Sequence, residues 1–171
     1  MFGNMRHVGL CLDITIGSDC IIGPGVRLET GRSGTIIVGD DTLLDAGCAL
    51  VARRLVSIGS NVALADGVIV SDDAARIRTV GTGAPRGSTA VVIGDNVLVG
   101  RNTRIGPGTR LGAGTVVAPN SVVQGVFPPN VYLCGVPATV HGTAVTPPPR
   151  PPMRASTAHR HGIGRHAHHV G

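Results

Sequence analysis

Aromatic residues make up only 2% of this 171-residue chain: two Phe, one Tyr and no Trp. A globular core of ordinary shape draws heavily on large rings, so the interior must be narrow and filled by branched aliphatics. Lysine is absent, and all fifteen basic residues are Arg. No histidine lies between His7 and His141. That gap excludes a three-histidine zinc site and any imidazole base within the repeat region. Cys11, Cys20, Cys48 and Cys134 form no CxxC pair and no zinc-like spacing. Cys20 and Cys48 read instead as small packed thiols, which suits a reducing cytoplasm. No apolar run approaches the roughly 20 residues that span a bilayer, and Met1 to Asp13 does not read as a signal peptide.

What is present is period. From Val91 to Val123 an aliphatic residue returns every sixth place, at Ile93, Val99, Ile105, Leu111, Val117 and Val123. Gly or Ala follows the first five directly. Asn96, Asn102, Gly108, Gly114 and Asn120 stand three places on, and these residue types best tolerate a left-handed backbone. Small or β-branched Val97, Thr103, Thr109, Thr115 and Ser121 come next. A period of six fits neither a helix nor a simple strand. It fits short strands joined by corners in a three-sided solenoid, at about 18 residues per coil.

The same register begins at Ile16, Ile22 and Leu28. It resumes at Val38, Leu44 and Leu50, and again at Ile58, Leu64 and Val70. Breaks fall at 31–35, at Arg53-Arg54, and at 71–90, the last read as a protruding loop. Met1 to Thr15 is expected to cover the first coil. Residues 126–140 are expected to leave the register and cap the last one. From 141 to 171 the composition turns to Pro, Arg and His without any Asp or Glu, and a disordered tail after a polyproline-like segment is expected. Ten acids offset eleven Arg up to Val140, so the net charge of +5 belongs mostly to this tail, which argues against nucleic-acid binding by the body. The tail histidines His159, His161, His166, His168 and His169 read as solvated rather than as a metal site.

The order of these segments resembles the hexapeptide-repeat acyltransferases, closest to the maltose, galactoside and polysaccharide O-acetyltransferase group. The likeness runs through "GTIIVGDDTLLDAGCAL", "VSIGSNVALADGVIVSDD", the loop, "VVIGDNVLVGRNTRIGPGTRLGAGTVV" and the ending "FPPNVYLCGVPATV". It implies an all-β, left-handed parallel β-helix of about five coils spanning residues 1–140, assembled as a homotrimer. It implies transfer of an acetyl or other acyl group from acyl-CoA to a hydroxyl of a sugar or polysaccharide precursor, with no metal. In that family a histidine at the loop entrance is the general base. Here Ser71-Asp72-Asp73 stands there, so the resemblance leaves Asp73 as candidate base and Asp72 as the partner whose charge would raise its proton affinity. Asp73 also falls in a corner slot, three places after Val70, and a plain turn residue is the other reading. Matched to the family's CoA wall are Arg101, Pro119, Gln124 and Thr139, where small or basic residues are usual. Arg104 and Arg110, six apart, read either as further CoA contacts or as a solvated ladder on one outer face. The alternative to an enzyme is an impaired family member serving as a trimeric binding or scaffold module.

Overall fold

A computed structural model of the chain describes residues 13–75 and 89–145. The described residues hold eighteen strands, numbered here in chain order, and no helix. They stack as three sheets around one axis. Sheet one contains β1 (Asp13–Ile16), β4 (Thr35–Val38), β7 (Leu55–Ile58), β10 (Val91–Ile93), β13 (Arg110–Leu111) and β16 (Val126–Phe127). Sheet two contains β2 (Ile21–Ile22), β5 (Leu43–Leu44), β8 (Ala63–Leu64), β11 (Leu98–Val99), β14 (Val116–Val117) and β17 (Val131–Gly135), with β18 (Ala138–Thr143) antiparallel at its end. Sheet three contains β3 (Arg27–Thr30), β6 (Ala49–Ala52), β9 (Ile69–Ser71), β12 (Arg104–Ile105) and β15 (Val122–Val123). Every other pairing is parallel, and residues of equal slot lie directly over one another, as in Ile58 over Ile93 over Leu111. This is the expected hexapeptide-repeat solenoid of about five coils.

The alternation follows from the pleat: in each two-residue strand the second side chain points inward and the first outward. From the second coil on, the inward aliphatics are almost fully buried. Leu50, Leu64, Val70, Ile105 and Val123 are 0% exposed. In the first coil Ile16 and Ile22 occupy the same slots, over Val38 and Leu44, yet are 38% and 47% exposed, with described strands paired to them on one side only. Small inner residues fill the corners of the triangle. Their hydroxyls and thiol are satisfied locally: Thr103 Oγ1 donates to the Ala118 carbonyl at 3.1 Å and Cys48 Sγ to that of Ala65 at 3.1 Å. Burial pushes the Cys48 thiol pKa up.

Corners use the left-handed backbone the sequence pattern anticipates. Asp41, Asn61, Asn96, Asn102 and Asn120 have φ between 54° and 58°. A short polar side chain is one of the few besides Gly that accept this region at low cost.

Two boundaries differ from expectation. Pairing starts at Asp13, so residues 13–15 already belong to the first coil. At the other end, Phe127 and Leu133 continue the inward register over Leu111 and Val117. The register therefore outlasts Val123 by two rungs, and the capping role falls to β18. That strand runs to Thr143, past the expected boundary at Val140. The expected cover of 1–12, the loop segment 76–88 and the tail beyond Val145 lie outside the described residues. No helix among the described residues is long and apolar enough to cross a membrane.

Candidate active-site edge

The loop departs and returns at the edge between sheets three and one. There the upper coils are wider: β3, β4, β6 and β7 each have four residues, where most strands of the lower coils have two. The extra residues form a ledge, and Asp72 closes its lower side. Asp72 is 0% exposed. Its carboxylate accepts three backbone N–H bonds from the turn one coil above: Arg53 at 2.7 Å to Oδ1, Arg54 at 2.7 Å and Leu55 at 2.9 Å to Oδ2. Its carbonyl accepts the N–H of Thr89 at 3.2 Å, joining the departing and returning ends of the loop. Thr89 in turn accepts the N–H of Gly108 at 3.0 Å, seating the return on the next corner. A carboxylate saturated in this way ends a strand pair, much as a capping residue ends a helix.

Asp73 turns outward and is half-buried. Its Oδ2 pairs with Nε of Arg53 at 3.0 Å, and its Oδ1 accepts the N–H of Ala75 at 3.0 Å. Its own N–H donates to Ser71 Oγ at 3.1 Å. Asp73 is not among the residues with positive φ, so it does not turn a corner as Asp41 and Asn61 do. The charge that meets Asp73 is a guanidinium. The two carboxylates have separate partners: Asp72 faces backbone donors and Asp73 faces Arg53. Sequence reading noted Arg53 only as an irregularity. The available signal was an Arg-Arg pair at an off-register corner one coil before an Asp-Asp pair.

The matched CoA-wall residues divide between places. Arg101 and Pro119 are exposed on the edge between sheets two and three, on successive coils, linked where Asn120 N–H donates to the Arg101 carbonyl at 2.9 Å. Gln124 follows β15 on the opposite margin of sheet three. Thr139 lies on β18, its hydroxyl 3.0 Å from Nε2 of His141. Sheet three thus has Arg101 and Pro119 along one margin, Asp73 and Gln124 along the other, and exposed Arg104 on its outer face between them.

Arg104 and Arg110 do not share a face. Arg104 pairs with Ile69 and Val122 in sheet three, and Arg110 with Val92 and Val126 in sheet one. A hexad is one side of the triangle, so six places along the chain lead to the adjacent side. The two guanidinium side chains straddle the loop edge instead of forming a ladder. Among the described residues no group of three or more His, Cys, Asp or Glu is arranged to hold a metal ion.

Residues 90–125 match the family model for bacterial transferase hexapeptide repeats, six repeats in all. A comparison with curated proteins finds no match. A hexapeptide-repeat-containing acetyltransferase from Vibrio cholerae O1 biovar eltor, solved in complex with acetyl coenzyme A, superposes with a TM-score of 0.64 at 26% identity, over 78% of this chain and 72% of that one. A galactoside acetyltransferase in complex with coenzyme A gives 0.62 at 27% identity, over 75% of this chain and 64%, just under two thirds, of its own. A maltose O-acetyltransferase from Clostridium difficile 630 gives 0.58 at 25% identity, covering 73% and 70%. The resemblance to hexapeptide-repeat acetyltransferases therefore holds in the repeat, the coil stacking and the overall shape.

Proposed function

We propose that this hexapeptide-repeat chain is an acyl-CoA-dependent O-acyltransferase whose acceptor meets the donor at the ledge between sheets three and one. The observation that carries the reading is the buried Asp72 clamp. It places Asp73 and Arg53 at the base of the loop, on a scaffold similar to one solved with acetyl coenzyme A.

In this reading acyl-CoA lies along the outer face of sheet three, between the Arg101–Pro119 margin and Gln124, with Thr139 farther along on β18. Arg101 and Arg104 supply positive charge toward its phosphates. Asp73 is the proton acceptor. The acceptor hydroxyl loses its proton to the Asp73 carboxylate as its oxygen bonds the thioester carbonyl carbon. The C–S bond then breaks, and CoA leaves as the thiol with that proton. Arg53 orients Asp73, so the hydroxyl must enter beside an existing ion pair. Asp72 is a positioning residue, because its oxygens are already engaged. Sugar-like acceptors, a homotrimer and a cytoplasmic setting belong to the same reading. They rest on the resemblance.

Calorimetric titration with acetyl-CoA, followed by a free-thiol assay with sugar acceptors, tests it. Acetyl-CoA is expected to bind. Asp73→Asn is expected to slow transfer about 100-fold, within the range general-base groups contribute, while donor affinity stays unchanged. No heat and no thermal shift at millimolar acetyl-CoA would sink the enzyme reading. Undiminished turnover in Asp73→Asn would remove that residue from the mechanism.

A further inference from the structure

Charge is sorted by edge. Of the ten acids, Asp19, Asp40, Asp41 and Asp95 lie on the edge between sheets one and two, and Asp45 and Asp66 on the edge between two and three. Asp13 opens the first coil, and Glu29 lies on β3 in that coil's part of the ledge, over Val51. Only Asp72 and Asp73 remain at the loop edge below that coil. One is buried against three N–H groups and the other is paired with Arg53. The exposed charges around the loop's two ends are arginines. Arg54 is tied by its backbone N–H to Asp72, where the loop leaves. Arg110 stands two places after Gly108, where the loop returns.

We infer that Arg54 and Arg110 select an anionic acceptor, a saccharide bearing a carboxylate or phosphate near the hydroxyl that is acylated. This deepens the acyltransferase reading and rests on it. Exposed guanidinium groups favour planar oxyanions by paired N–H donation and raise the local concentration of anions. Arg110 faces out from sheet one, while the donor wall is assigned to sheet three. Its charge is therefore directed to the acceptor side of the edge.

The test compares glucose, glucuronate and glucose 6-phosphate. These are one ring in neutral, carboxylate and phosphate forms, so the two charged arms separate the two anion sources. Direct binding by calorimetry and acetyl transfer from acetyl-CoA are both read. At least one charged sugar is expected to bind and react at least tenfold better than glucose, with the preference falling at high salt. Arg54→Gln and Arg110→Gln are each expected to cut it about threefold, and the pair to abolish it, with acetyl-CoA affinity unchanged and Arg27→Gln without effect. Equal use of glucose overturns the inference. So does an arginine pair whose loss weakens acetyl-CoA binding but leaves the sugar ranking intact. If wild-type protein fails to bind acetyl-CoA, the acyltransferase reading falls separately, while the sugar-binding arm still reports on the arginines.

Discussion

Two edges of this prism keep strict time and the third does not. From sheet one to sheet two the inward residues always advance six places: 16 to 22, 38 to 44, 58 to 64, 93 to 99, 111 to 117 and 127 to 133. From sheet two to sheet three the advance is again six in every coil, from 22 to 28 down to 117 to 123. From sheet three back to sheet one it is ten, eight, twenty-three, six and then four, through 28 to 38, 50 to 58, 70 to 93, 105 to 111 and 123 to 127. All variation in coil length is confined to one edge. The two constant edges preserve stacking, and the variable one builds the ledge, the loop base and the candidate site. The proposed site falls where the solenoid can change length without moving its core.

The sharpest way to break this contrast is insertion. One Ala between Val97 and Leu98 must either bulge a tight corner or move Leu98 into the inner slot, since a one-place slip reverses every side chain in a strand. It is expected to cost more than about 5 kcal/mol, on the scale of a domain's whole stability. The same Ala between Arg32 and Ser33, in the turn of the variable edge, should cost less than about 1 kcal/mol, as a lengthened surface turn does. Urea titration of both variants decides it, and equal costs would erase the distinction between edges.

The variable edge still needs one rigid point, and Asp72 supplies it. Asp72→Ala leaves three backbone N–H groups without their acceptor inside the ledge. A loss of about 3–5 kcal/mol is expected, typical of removing one side of a buried charge-assisted network. A loss below about 1 kcal/mol would mean that the ledge holds itself. On the constant edges single corners matter less, because each is one rung among several. Asn96→Ala puts a residue less tolerant of the left-handed region than Asn at φ 57° and removes the 2.7 Å bond from Asn61 Nδ2 to Asn96 Oδ1. About 1–2 kcal/mol is expected from the midpoint shift.

How much of this could be read beforehand follows the same division. On the constant edges the sequence states the structure residue by residue: Asn61, Gly67, Asn96 and Asn102 stand at the slots where φ is positive, and Ile93, Val99 and Ile105 are the buried residues expected. The end of the register is hidden in the sequence because Val123 to Phe127 is a four-place step instead of six, although Phe127 still packs inward. A linear period of six does not put Arg104 and Arg110 on one face, because a triangular coil returns to a face only after a full turn. At the loop edge, Asp72 and Asp73 were found by resemblance. Their different environments are not legible, because the partners come from a turn seventeen to twenty places earlier, at a point where the repeat itself is broken.

The smallest expected effect concerns how tightly a constant edge excludes water. Cys48 sits directly behind the Gly47 corner, fully buried, with its Sγ donating to Ala65. Burial is the main cause that raises its pKa from the ordinary 9.0; backbone hydrogen bonds with Val68 and Asp45 partly offset it, and the charges of Asp45 and Asp66 add to the rise. A raised folded pKa means the native state holds its proton where the unfolded chain has lost it. Its contribution is therefore fully present below the unfolded pKa and is lost as pH rises from there through the folded value. Urea midpoints of wild type and Cys48→Ala, taken at pH 7 and at pH 10, should show the wild-type advantage shrinking at the higher pH. Cys134, half-buried on β17, should be alkylated by iodoacetamide well before Cys48. An advantage independent of pH, together with equal alkylation of the two thiols, would show that water reaches the inner slot and that the constant edge opens as readily as the variable one.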